Sequence, residues 1–228
     1  MRKLNERPLV KGLVFDLDGT LVDSLVDIAS SVNGVLARHQ RPPRSLAEFR
    51  QMVGWGLGSL LASATADHPF SEKETETVLA ELRQDYRRHP VESTLYPGIV
   101  ELVDSLAGRI PLGVLSNKDH AMTLQVVGAL LPGQRFQAVI GAKPGVPHKP
   151  DPTSLRKLLE GWGVLPSQAV YLGDSDVDIE TATRAGTLAC GAAWGFRGRE
   201  ELLAAGADFV FDDVLSFRQW LETTAILG

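Results

Sequence analysis

The chain has 228 residues, 44% hydrophobic and 22% charged, with 28 acidic residues against 23 basic ones for a net charge of −5. That balance excludes a disordered or fibrous chain and offers no general basic field for nucleic acid or an anionic membrane. The one cysteine, Cys190, excludes an intramolecular disulfide and, within "LACGAA", reads as a packing residue.

In chain order, "MRKLNERPLV" carries charges with no apolar h-region behind it. No apolar run approaches the roughly 20 residues that span a bilayer, so a reducing cytoplasm is the expected setting. The first predicted strand ends in "VFDLDGTLVDS", residues 14–24, where Asp16 and Asp18 flank Leu17 and Gly19 and Thr20 follow. Asp and Gly are ordinary turn formers after a strand. A chemical alternative stands beside that one. Residues two apart on extended backbone face the same way, roughly 6–7 Å between Cα atoms, which would set two like charges side by side.

From about 23 to 90 the pattern turns helical. Ser24 with Asp27 three residues on has the spacing of a capping box, and Leu25, Ile28, Ala29, Val32 and Leu36 recur at helical period. Further helices are expected near 45–66 and 71–89. About 65 residues of helix are too many for a simple crossover, so an inserted helical cap is expected. "GWGLGSL" has Ser59 where a dinucleotide loop needs its third glycine. It is read as a loop between cap helices, with Trp55 either walling the substrate or filling the cap core.

From 95 onward short apolar runs alternate with helical segments. "YPGIVELVDSLAGR" aligns Ile99, Leu102, Val103 and Leu106 on one face. A strand from about Leu112 to Leu115 precedes Ser116, Asn117 and Lys118, and a helix follows Asp119. Then come the strand "FQAVI", the loop "GAKPGVPHKPDP", a helix carrying Leu155, Leu158, Leu159 and Trp162, the strand "AVYL" and the turn "GDSDVD". A helix, "TLACGAA", a short helix, "DFVF" and an amphipathic segment close the chain. This rhythm predicts an α/β fold, a Rossmann-like parallel sheet with helices on both faces. Residues 1–22 and 91–228 would form its core, and 23–90 the cap.

In open parallel sheets ligands bind beyond the carboxyl ends of the strands. Asp16, Asp18, Ser116, Lys149, Asp174 and Asp178 should all meet there. Gathered carboxylates repel unless protons or a cation neutralise them, and an oxygen-rich site with room for water and phosphate suits Mg²⁺. Lys149 would receive an anion and Ser116 donate to it. The acidic turn at 174–178 also imitates the start of an EF-hand loop. Ile179 and Ala185 then stand where that loop needs Gly and Glu. His39, His68, His89, His120 and His148 form no metal-ligand spacing; His148, beside Lys149, is the one expected nearest the site.

"DLDGT", "LSN", "KPDP" and "GDSDVD" resemble, in order and spacing, the four motifs of the haloacid dehalogenase-like hydrolases, over essentially the whole chain. Within that superfamily the chain looks most like phosphoglycolate phosphatases, whose helical cap is inserted directly after the first motif. The resemblance implies that Asp16 is the nucleophile, forming an aspartyl-phosphate, and that Asp18 moves protons for the leaving group and then for water. It implies that Ser116 and Lys149 hold phosphate oxygens. Mg²⁺ would be bound by Asp16, the Asp18 carbonyl and Asp174, with Asp178 counted in the metal site as support. Gly19, Thr20 and Asn117 would complete the substrate-binding edge, with Gly54, Trp55 and Gly56 contributed by the cap. The expected substrate is a small phosphomonoester, 2-phosphoglycolate first, turned over by a monomer or homodimer without nucleic acid or membrane.

Asp18 argues against a dehalogenase of the superfamily, which lacks an aspartate there. The cap's one lysine, Lys73, reads as a solvated helix start rather than the Schiff-base lysine of phosphonoacetaldehyde hydrolases. A β-phosphoglucomutase-like phosphomutase, a pyrophosphatase or nucleotidase of the same fold, and a catalytically silent binding protein are the alternatives to a phosphatase.

Overall fold

The structure, a computed structural model, describes residues 8–88, 93–133, 135–223 and 226–227. The N-terminal residues 1–7, His89 and the 90/91 boundary expected for the cap lie outside them. Strand β1 (Leu9–Val10) leads into β2 (Gly12–Phe15), four fully buried residues. An unbroken apolar strand of this kind belongs inside a sheet covered on both faces.

After β2 a two-residue strand, β3 (Val22–Asp23), opens the insertion. Helices α1 (Leu25–Arg38), α2 (Leu46–Met52), α3 (Leu57–Ala64) and α4 (Glu72–Arg88) follow, and β4 (Thr94–Leu95) closes it. The two short strands pair antiparallel, Val22 with Leu95 and Asp23 with Thr94. Their pairing holds the cap's two ends side by side. The remaining chain alternates: α5 (Ile99–Leu106), β5 (Leu112–Asp119), α6 (His120–Leu130), β6 (Ala138–Ala142), α7 (Thr153–Gly161) and β7 (Ala169–Gly173). Next come α8 (Asp176–Ala185), β8 (Leu188–Ala192), α9 (Arg199–Ala204), β9 (Phe209–Phe211), α10 (Val214–Thr223) and β10 (Ile226–Leu227), which pairs with β1.

Six strands make one parallel sheet in the order β6-β5-β2-β7-β8-β9. Alternation along each strand divides the apolar residues between its faces. Leu13, Phe15, Leu112, Val114, Val170 and Leu172 pack with α5, α6 and α10, whereas Val14, Leu115 and Tyr171 pack with α7, α8 and α9. The cap has its own core: Ile28, Val32 and Leu36 of α1 meet Phe49, Leu60, Leu61, Val78 and Leu82, and Phe196 from the loop after β8 joins them. Burying each such side chain is worth roughly 1.5–3 kcal/mol, so the insertion carries stabilisation of its own.

Three local expectations need correction. Ser24 precedes α1 without capping it: its hydroxyl donates to Asp18 at 2.6 Å, and Asp27 accepts from the Ser93 amide at 2.8 Å. A capping box does form at Ser45 and Glu48. The expected helix near 45–66 is two helices, because Gly54 and Gly56 take φ of +122° and +87°, where a side chain would be strained. Strand β5 runs four residues past Leu115, to Asp119.

Candidate active site

Asp16 directly follows β2, and Asp18 lies two residues on in a turn that bridges back to Val22. The strand thus ends at Phe15, and the two aspartates leave it into different surroundings. Ser116, Asn117 and Lys118 occupy the end of β5, the neighbour of β2 on one side. Asp174 follows β7, the neighbour on the other side, and Asp178 sits in the first turn of α8. Lys149 comes from the loop between β6 and α7. Sheet order therefore delivers the residues of all four motifs to one edge.

At the centre is Lys149, 6% exposed. Its Nζ lies 2.7 Å from Asp16 Oδ1 and 2.7 Å from Asp178 Oδ1, and it donates to the Tyr171 hydroxyl at 3.1 Å. Asp178 is fully buried, and its other oxygen accepts from the Ser175 amide at 3.1 Å and hydroxyl at 2.6 Å. Both its oxygens are thus engaged by protein donors. Asp174 accepts from Thr20 Oγ1 at 3.2 Å and from the Phe196 amide at 2.8 Å. Gly19 and Gly195 close around it: a Cβ on Gly19 would lie 2.2 Å from Asp174 Oδ2, and one on Gly195 2.4 Å from Asp174 Cβ.

Asp18 faces elsewhere. Both its oxygens accept from Lys118 Nζ, at 2.9 and 3.2 Å, and the same ammonium donates to the Tyr86 hydroxyl of α4 at 2.9 Å. Ser116 is buried, and its hydroxyl accepts from the Lys118 amide at 3.2 Å. Asn117 Nδ2 donates to the carbonyls of Gly54 and Lys149, both at 3.0 Å, and its Oδ1 accepts from the Lys149 amide at 2.9 Å. Arg197, after β8, donates to the Gln51 and Val53 carbonyls at 2.7 and 3.0 Å. Cap loop and sheet edge are thereby tied together over one cavity, lined by Asp16, Asp18, Ser116, Lys118 and Lys149 on one side and by apolar cap residues on the other.

The carboxylates outnumber the charge that neutralises them. Burial, reinforced by Asp178 and Asp18 and opposed by Lys149, pushes Asp16 up to about 7. Asp174 is raised well above the usual range by burial and then by Asp178 and Asp16. Burial pulls Lys149 down, but Asp16 and Asp178 outweigh it and hold the ammonium well above its ordinary value. Lys118 is raised in the same manner, Asp18 and Tyr86 overcoming burial. Oxygens of Asp16, Asp174 and Asp178 lie within 4.8 Å of one another, all buried. A hard divalent cation fits this donor set, because it supplies the positive charge that one lysine does not.

Some expected site residues stand apart from the cavity. Gly19 and Thr20 support Asp174 instead of lining the cavity, so their assignment to substrate binding is corrected. Gly54 and Gly56 do line it, but Trp55 between them is 43% exposed and belongs neither to its wall nor to the cap core. His148 is exposed, close to Gly56. Lys118, Tyr86 and Arg197 were not singled out from sequence. The signal for Lys118 was its place in "SNK"; Tyr86 and Arg197 carried none, since their partners lie 32 and 144–146 residues away.

Comparison with known proteins agrees with this geometry. Residues 13–192 match the family model described as haloacid dehalogenase-like hydrolase. A phosphoglycolate phosphatase of Rhodospirillum rubrum is 36% identical over 219 residues, covering 92% of this chain and 90% of that protein. Phosphoglycolate phosphatase 1 of Pseudomonas aeruginosa is 30% identical, covering 89% and 76%. The crystal structure of a predicted phosphoglycolate phosphatase from Haemophilus somnus superposes with a TM-score of 0.84 at 28% identity, over 95% of this chain and 98% of that one. With its site residues at the ends of adjacent parallel strands and its cap after the first of them, the chain belongs to the haloacid dehalogenase-like hydrolases.

Proposed function

We propose that the protein is a Mg²⁺-dependent phosphatase of a small phosphomonoester, with 2-phosphoglycolate the first compound to assay, acting in the cytoplasm through an aspartyl-phosphate. The observation that carries this is the inequality of the two aspartates. Asp16 has one oxygen pinned by Lys149 and lines the cavity with the other free of protein hydrogen bonds among the described residues. Asp18, held from the opposite side, is placed for proton transfer. The similarity to phosphoglycolate phosphatases supports the choice of substrate.

In the reaction, Asp16 attacks phosphorus and the ester P–O bond breaks, while Asp18 protonates the departing oxygen. Lys149 and the Ser116 hydroxyl hold phosphate oxygens as charge redistributes. Asp18 then deprotonates a water, which attacks phosphorus; the bond to Asp16 breaks, releasing inorganic phosphate and restoring the carboxylate. Asp16, Asp174 and the Asp18 carbonyl would hold the metal, with Asp178 fixing Lys149 and the start of α8 behind them. When bound, the ion offsets the repulsion between carboxylate and phosphate. Residues 23–90 would act as the cap that closes over the ester and excludes bulk water.

Asp16→Asn should abolish phosphate release while circular dichroism and melting stay close to those of the parent. Retained turnover in that variant refutes the assignment of the nucleophile.

A further inference from the structure

Lys118 is a buried ammonium whose neutralisation conflicts with the chemistry beside it. Its side chain is 6% exposed, and its partners are both oxygens of Asp18 and the hydroxyl of Tyr86. A lysine this deep needs a countercharge. The countercharge it uses is the carboxylate that must be free to exchange protons with leaving group and water. As the structure stands, recognition and catalysis compete for Asp18.

The other cations on the cavity wall are committed elsewhere. Lys149 is held by Asp16, Asp178 and Tyr171 at the phosphate end. Arg197 is turned to oxygens of Gln51 and Val53 in the cap loop. The cap side of the cavity is mostly apolar, with Ile28, Val32, Leu57, Leu60 and Leu82 along it. Among the described residues lining the cavity, Lys118 is therefore the cation that an anion on the leaving side of the ester can claim, with the Tyr86 hydroxyl beside it as a second donor.

We propose that Lys118 and the Tyr86 hydroxyl form the subsite for a carboxylate on the leaving group, and that filling it releases Asp18 for proton transfer. This deepens the phosphatase assignment and rests on it. The exchange conserves charge: one carboxylate replaces another against the same ammonium, and Asp18 keeps the Ser24 hydroxyl at 2.6 Å. A neutral leaving group offers nothing in exchange, so Lys118 stays on Asp18 and the acid–base group stays blocked. Selectivity for short, carboxylate-bearing phosphomonoesters thus arises in turnover as well as in binding, as expected where a buried polar site is left unmatched by the wrong substrate.

The test compares 2-phosphoglycolate with ethyl phosphate, which carries a methyl group where the former carries its carboxylate. p-Nitrophenyl phosphate reports phosphatase activity as such. The parent protein should prefer 2-phosphoglycolate over ethyl phosphate by about a hundredfold in kcat/KM. In Lys118→Met that ratio should collapse to within about threefold, whatever absolute rate remains, and in Tyr86→Phe it should fall about tenfold with a raised KM for 2-phosphoglycolate. Calorimetry with 3-phosphonopropionate against propylphosphonate should show the same preference in the parent and its loss in Lys118→Met. Tyr86→Phe, which removes one oxygen, answers the question if the lysine variant does not fold. Hydrolysis of p-nitrophenyl phosphate with no preference between the two alkyl esters overturns the subsite and leaves the phosphatase assignment standing. A ratio unchanged in both variants overturns the subsite as well, and a folded parent that hydrolyses none of the three esters overturns both.

Discussion

Lys149→Met keeps most of the side chain's bulk while removing the ammonium around which the buried carboxylates are arranged. Two ion pairs of 2.7 Å and a hydroxyl contact disappear from a side chain that is 4% exposed. Breaking a buried pair costs about 3–5 kcal/mol when the remaining charge stays ionised. The carboxyls can instead take up protons. Burial already pushes Asp16 up to about 7 from 3.8, and Lys149 is the charge that opposes this, so its loss moves Asp16 further up. A carboxyl raised in the folded state contributes its full stability below its unfolded value and loses it as pH climbs toward the folded value. The penalty should therefore be small near pH 5, where the variant loses mainly hydrogen bonds worth about 1 kcal/mol each. It should grow by up to about 1.4 kcal/mol per pH unit for each carboxyl held protonated, reaching about 3–5 kcal/mol near pH 8. At about 2–4 °C per kcal/mol for a chain of this size, the melting gap to the parent in EDTA should be a few degrees at pH 5 and about 6–20 °C at pH 8. Mg²⁺ should narrow it at the higher pH. Thermal unfolding at the two pH values measures this directly, and an equal gap at both refutes the charge argument.

Gly195→Ala would set a Cβ 2.3 Å from the Gly19 carbonyl and 2.4 Å from Asp174 Cβ. Displacement of Asp174 should weaken Mg²⁺ binding by about tenfold, and overpacking should cost about 1–3 kcal/mol; unchanged metal titration and melting count against the close fit. Arg197→Ala strips the hydrogen bonds that the Gln51 and Val53 carbonyls receive, at about 1–3 kcal/mol for a buried acceptor left unpaired. Amide exchange over 50–57 should accelerate and KM should rise, and exchange at the parent's rate there would show that Arg197 does not hold the cap loop.

The sheet and its edge were legible because each signal is local. Asp16, Asp18, Ser116, Lys149, Asp174 and Asp178 follow apolar runs, and a parallel sheet carries the ends of such runs to one side whatever the loops between them do. The periodicity of α1 was equally local. What escaped depends on partners distant in sequence. Ser24 and Asp27 have capping-box spacing, but Asp18 and Ser93 compete for their side chains. Apolar periodicity ran through Gly54 and Gly56, although their positive φ values break the helix there. Trp55 looked like wall or core, and neither fate is encoded within five residues of it. The pairing of Lys118 with Tyr86 joins the sheet to the cap, and no pattern within either segment announces it.

The strand pair β3 and β4 has a consequence for how such a protein diversifies. Because the insertion enters and leaves through hydrogen-bonded neighbours, its ends stand about 5 Å apart whatever lies between them. Helices can be lengthened, exchanged or rebuilt there without shifting the register of β2 or the turn that carries Asp16 and Asp18. Phosphate chemistry and substrate choice are inherited on separate segments, so a lineage can explore new leaving groups with its reactive machinery intact. Lys118 is the exception to that independence: it belongs to the sheet yet answers to the cap, and any replacement of α4 must supply a partner for it.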